Sequence, residues 1–260
     1  MKRKLSENLK RVEERIESAC ARAGRSRKDI TLIAVTKSVS IDVIRTLVDM
    51  DVLDLGENRV QQLTKRAAMI SEWLDRRDLG PGGFTTKPPG ARPKPRWHMI
   101  GHLQRNKVKA VLPWVEMVHS VDSLRLAEEI SHRSAVLDRT TPILIEVNAG
   151  GEESKHGVAV AAATHLAAEL SSLPNIEVRG LMSMAPFTSD ETIIRQAFER
   201  VRDVFDETVG QRLCGPVFNS LSLGMSNDFE YAIESGATHV RIGTALFEGV
   251  ARTPQPIPVE

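Results

Sequence analysis

Lys37 closes the run Thr31–Thr36, an apolar and β-branched segment that reads as a buried strand. A lysine at the desolvated end of such a strand can lose its proton below the reference value of ~10.4 and attack an aldehyde as a free amine. Taken alone, a surface lysine in a strand–helix loop is the plainer reading. Far along the chain, LSLGMSND at 221–228 and HVRIGT at 239–244 each end an apolar segment with glycine and then open a helix. Small residues at a helix start leave backbone N–H groups exposed to an anion. Arg241 stands inside the second motif. An amine, two anion-binding turns and a cation are the reagents for capturing a phosphorylated aldehyde, provided the fold brings them together.

Other motifs carry less chemistry. LDLGENR at 53–59 ends a strand and offers Glu57, Asn58 and Arg59 at a helix start, where Asn caps and Glu complements the dipole. WHMIGHLQRNK at 97–107 holds His98 and His102 four apart on a strand, with no glutamate after His98, so it is not a zincin site and a metal is not expected there. VNAGGEESKHG at 147–157 has paired glycines but no GK[ST] ending, which argues against a P-loop. Cys20 and Cys214 are distant and form no CxxC pair, so neither a disulfide framework nor a structural zinc site is expected.

The elements that must position these residues follow from periodicity. Leu5, Leu9, Val12, Ile16 and Ala19 form a helical stripe that ends near Gly24. Strands are then predicted near 31–36, 52–56, 97–101, 115–121, 142–148, 177–184, 219–223 and 238–243, with helices at 58–75, 123–137, 157–171, 190–209 and 226–235 and a short third connection. Eight β/α units predict a single (β/α)8 TIM barrel with an extra N-terminal helix over 1–250; a doubly wound open sheet is the competitor. In a closed barrel the first strand lies beside the eighth, so Lys37 and Arg241 converge. That constellation suits pyridoxal 5′-phosphate (PLP), its aldehyde joined to Lys37.

The proline- and glycine-rich stretch 78–96 reads as a loop at the N-terminal face, and 251–260 as a flexible tail. A net charge of +1 gives no electrostatic reason for nucleic-acid or membrane partners, and Arg105, Lys107 and Lys109 read as a solvated face. The N-terminus lacks the apolar core of a secretory signal and no run of about 18 apolar residues occurs, which fits a cytoplasmic protein.

AVTK, LGENRVQ, WHMIGHLQRNK, HSVDS, VNAGGEESKHG, RGLMSM, LGMSNDFEYAI and VRIGTALFEG, in this order, resemble the YggS/PROSC pyridoxal phosphate homeostasis proteins, related to the N-terminal barrel of alanine racemase, from the first helix to Gly249. The resemblance implies a fold-type III PLP barrel with Lys37 as the Schiff-base lysine. Ser226 and the backbone of Gly243 and Thr244 would take the phosphate, and Arg241 would face the pyridine nitrogen. Asn58 and the strand around Ile100 would line the pocket, with Lys155 a secondary acceptor at the rim. It implies a non-catalytic PLP carrier that serves apo-enzymes or salvage enzymes; with no further domain to build a racemase-like dimer, a monomer is expected. Two departures stand out: Ser-Val-Ser follows Lys37 where the family often has a second lysine and a proline, and the 78–96 insert is long. The alternatives are an amino-acid racemase and a class I aldolase. Related racemases take a second base, a tyrosine, from a further domain, whereas here the sole tyrosine, Tyr231, falls in a predicted helix where packing is the economical role.

Overall fold

The computed structural model describes residues 1–78, 94–150 and 156–251. Nine strands are present among them: β1 (Thr31–Val35), β2 (Asp54–Glu57), β3 (Arg96–Met99), β4 (Val115–Val121), β5 (Thr141–Asn148), β6 (Val158–Ala159), β7 (Ile176–Ser183), β8 (Ser220–Ser222) and β9 (His239–Ile242). β1 pairs with both β2 and β9, and β4 pairs with β5, so eight parallel strands close on themselves with β6 outside the ring. Closure excludes the open doubly wound sheet and gives the expected TIM barrel. All eight predicted strands occur, with ends within two residues of the prediction. The two-residue β6 was missed because so short a segment has no readable period.

The helices are α1 (Lys2–Arg22), α2 (Ile41–Asp49), α3 (Val60–Asp78), α4 (Val108–Val111), α5 (Leu124–Val136), α6 (Ala163–Ser171), α7 (Glu191–Gly210) and α8 (Phe229–Glu234). α1 buries Leu5, Val12, Ile16 and Ala19, most of the predicted stripe. It also buries Asn8, whose side-chain amide donates to the carbonyls of Leu246 (2.9 Å) and Glu248 (2.8 Å), while Arg15 forks onto Glu230 of α8. The extra helix is thereby fastened to the end of the barrel sequence. α7 starts at Asp190, whose carboxylate accepts from the N–H groups of Thr192 and Ile193. The short third connection is a 3-10 turn, Arg105–Lys107, running into α4. The helix expected from 157 begins only at Ala163, because β6 and a 3-10 turn occupy 158–162. Arg105, Lys107 and Lys109 are exposed, as a solvated face requires. Of the predicted loop and tail, 79–93 and 252–260 lie outside the described residues.

Candidate functional site at the barrel mouth

The C-terminal ends of β1, β8 and β9 bring Lys37, Ser226, Gly243 and Thr244 to one end of the barrel. Lys37 is exposed, two residues past Val35, the last residue of β1. Gly243 follows β9, and a Cβ there would stand 3.4 Å from both the Cβ and the carbonyl oxygen of Val35, so the turn after β9 lies directly against the end of β1. Ser226 comes in from the turn after β8, and its Oγ accepts from the N–H groups of Gly243 and Ala245, each at 3.3 Å. Thr244 sits between them, exposed. Two backbone donors and a hydroxyl thus crowd one spot beside the strand that carries Lys37, a polar nest suited to an anion. The expected backbone pair was Gly243 and Thr244, whereas the N–H groups that meet Ser226 Oγ are those of Gly243 and Ala245.

Arg241 points into the barrel and is 4% exposed. It donates to Ser222 O and Oγ (2.6 Å each) and to Ser183 O (2.8 Å). Burial lowers it to about 10, which leaves it cationic at neutral pH. From Arg241 a polar chain crosses the interior: Ser222 Oγ to His119 Nδ1 (2.9 Å), His119 Nε2 to His98 Nδ1 (3.0 Å), and His98 Nε2 to Asp54 Oδ1 (3.1 Å). Arginine only donates and a carboxylate only accepts, so with both histidines neutral every proton in the chain points from Arg241 toward Asp54. Burial pushes the Asp54 carboxyl up, but hydrogen bonds from His98 and Arg96 outweigh it and hold the group well below the usual carboxylate range. Burial holds His119 well below its ordinary value, with the charge of Arg241 acting in the same direction.

Burial, reinforced by His98, also lowers His239, which faces His119 edge-on, to about 4. A histidine kept neutral in the fold takes up a proton more readily when unfolded. The stability it supports is therefore complete above pH 6.5 and falls as the pH drops toward 4. The cost at pH 5 comes to about 2 kcal/mol for His239. Urea unfolding of the cofactor-free protein at pH 7.5 and pH 5.0 should show this loss, and His239→Asn should remove part of the difference; an unchanged pH dependence contradicts the assignment.

The LGENR motif behaves differently from its capping interpretation. Glu57 is not at a helix start: it ends β2, is fully buried, accepts from Thr36 Oγ1 at 2.6 Å and is ion-paired with Arg66 of α3. Arg66 also donates to the carbonyls of Thr36 and Val39, so it clamps both sides of Lys37 in sequence. Burial raises the Glu57 carboxyl, opposed by Arg66 and by the nearby charge of Lys37. Asn58 is not a cap through its side-chain oxygen either, since Oδ1 is buried without a hydrogen-bond partner. A Cβ on Gly101 would lie 2.3 Å from Asn58 O, so only glycine lets the segment after β3 close on Asn58. The equal spacing of His98 and His102 also misleads. His98 enters the interior chain, whereas His102 leaves it and reaches Asp122 at 3.5 Å. Glu146 on β5 is 4% exposed with an unpartnered Oε2, and burial followed by the Asp122 charge raises it to about 7. Lys155 lies outside the described residues.

The family model described as alanine racemase, N-terminal domain, matches residues 7–250. A pyridoxal phosphate homeostasis protein of Aquifex aeolicus is 41% identical over 241 residues, covering 93% of this chain and 96% of its own. The chain belongs to the pyridoxal phosphate homeostasis family. Among solved structures similar to this family member, an unknown protein from Bifidobacterium adolescentis has a TM-score of 0.83 at 39% identity, with 95% of each chain covered. PipY of Synechococcus elongatus PCC7942, solved with PLP bound, has a TM-score of 0.72 at 28% identity, covering 91% of this chain and 99% of its own. No described helix of the family member is long and apolar enough to cross a membrane.

Proposed function

We propose that this protein binds PLP as a Schiff base on Lys37 and releases it to apo-enzymes or salvage enzymes, without turning over an amino acid. The observation that carries this reading is the contact between the turn holding Gly243 and the end of β1, which sets a polar nest and an amine at one mouth. The PLP-bound relative supports the choice of group. The residues suit it: the N–H groups of Gly243 and Thr244 with Ser226 Oγ would hold the phosphate, and Asn58, with its orphaned Oδ1, would line the pocket. Lys155 would be a secondary acceptor. Residues 1–250 would serve as one binding unit, monomeric and cytoplasmic.

When bound, PLP supplies an electrophilic carbon and an electron-withdrawing ring. This chain restrains the second property. Arg241 is pinned by Ser222 and Ser183, and if its guanidinium faced the ring nitrogen it would oppose protonation there and weaken the ring as an electron sink. Tyr231 supports the same reading: it is carried by α8 on the outside of the barrel with Arg195 of α7 4.5 Å over its ring, not at the mouth. No second base is provided by the sole tyrosine.

Three measurements test this reading. Loaded protein mixed with an apo PLP enzyme should activate it, and incubation with single-enantiomer alanine in deuterated water should give no Cα exchange above that of free PLP. Exchange at a useful turnover rate establishes the racemase alternative instead. Arg241→Gln should shift the absorption band of the bound cofactor while retaining binding; an unchanged band argues against a ring contact.

A further inference from the structure

On the rim of the mouth, His102, Asp122 and His156 offer ligand atoms that all lie within 4.8 Å of one another. They come from three separate units, after β3, after β4 and after β5. His102 Nδ1 and Asp122 Oδ2 are already 3.5 Å apart, close to the roughly 3.4 Å edge of a tetrahedron built on metal–ligand bonds of ~2.0–2.1 Å. The His102 and His156 rings are nearly parallel, with centroids 4.0 Å apart. Completing that geometry takes a closing movement of about 1–1.5 Å and a rotation of the His156 ring out of its stack on His102, since each imidazole binds through a lone pair in its own plane.

His156 is not delivered by chance. Gly157 has φ +108 and a Cβ on it would lie 2.9 Å from Asn148 N and 3.0 Å from Glu146 O, so only glycine lets the chain fold back over the end of β5. The pairing Val147↔Val158 then fixes the returning strand, with His156 just ahead of it. A second feature points to a cation. The register Val121↔Ile145 sets Asp122 beside Glu146, whose carboxylate is nine-tenths buried and has an oxygen with no hydrogen-bond partner. Asp122 and the orphaned Glu146 carboxyl are thus close neighbours, and a cation held at Asp122 would favour the ionised form of both.

We propose that His102, Asp122 and His156 form a site for a divalent transition-metal ion of the zinc class, with at least one coordination position open toward the barrel mouth. Two imidazoles and one carboxylate are ligands that Zn²⁺ and Co²⁺ accept, and three protein ligands leave room for water. The site is separate from the lysine and the polar nest, and does not depend on PLP being bound there.

The test is titration of PLP-free protein with Zn²⁺ by calorimetry, and with Co²⁺ by visible spectroscopy. One saturable equivalent is expected, with d–d bands in the Co²⁺ form. His102→Ala, Asp122→Asn and His156→Ala should each weaken binding by tenfold or more. His165→Ala should not, since His165 pairs with Glu169 at 3.5 Å on an exposed helix face and reports adventitious binding. Circular dichroism checks that each rim variant is folded. The proposal is overturned by the absence of saturable binding, by three rim variants that bind like the parent, or by a loss confined to His165→Ala.

Discussion

Lys37→Ala is expected to abolish the visible absorption band of the PLP-loaded protein and to lower its PLP affinity by about 100-fold or more, because the covalent tether is lost while the polar nest remains. If Lys37 holds the cofactor, its nitrogen would add to the aldehyde carbon with loss of water, and borohydride should then fix one pyridoxyl group on the peptide bearing Lys37. Lys37 is exposed two residues past the end of β1 and is not part of the apolar core. The variant should therefore fold and keep weak phosphate-dependent binding, which separates loss of the tether from loss of the structure. Trapping confined to other lysines, Lys155 among them, would falsify the assignment. Ser226→Ala in the same assay should weaken binding without moving the site of trapping.

The largest expected effect on stability is at Gly180. Its φ is +151 and a Cβ there would lie 1.8 Å from Ser220 O and 2.7 Å from Ser220 C, inside the backbone of the neighbouring strand. Gly180 is paired with Ser220 in the β7–β8 register, next to the irregularity between Ile143 and Leu144 of β5. A methyl group cannot be accommodated by rotating a side chain, because backbone must move on a strand held from both sides. Gly180→Ala should cost upwards of about 4 kcal/mol, which for a chain of this size lowers the Tm by roughly 10 °C or prevents folding. Gly24→Ala provides the comparison: φ is +65 but nothing lies within 4 Å of its added Cβ, so only about 1–2 kcal/mol of left-handed strain is paid. Equal melting temperatures for the two variants contradict the steric account.

The PLP reading and the strained glycine meet at Arg241. β7 ends at Ser183 and β8 at Ser222, and these two strands supply every hydrogen-bond acceptor identified for the Arg241 guanidinium. Displacement of β8 by a side chain at 180 should thus disturb the electrostatics of the site as well as the sheet.

The sequence by itself determined the barrel, its strands and the residues at their ends, since strand and helix periods are local and a buried parallel strand is a continuous apolar run. Lys37, Ser226 and Gly243 were legible for the same reason: each follows such a run, and closure of the ring makes the first and last strands neighbours. What met what across the interior was decided only in three dimensions. Glu57 resembled a helix cap but is buried by Arg66, and Ser222 reaches His119 across 103 residues. His98 and His102 share a motif yet take opposite sides of the strand end, one inside the barrel and one on its rim. Periodicity tells which face of an element is buried; the identity of the partner on that face depends on register and closure, which no short stretch of chain encodes.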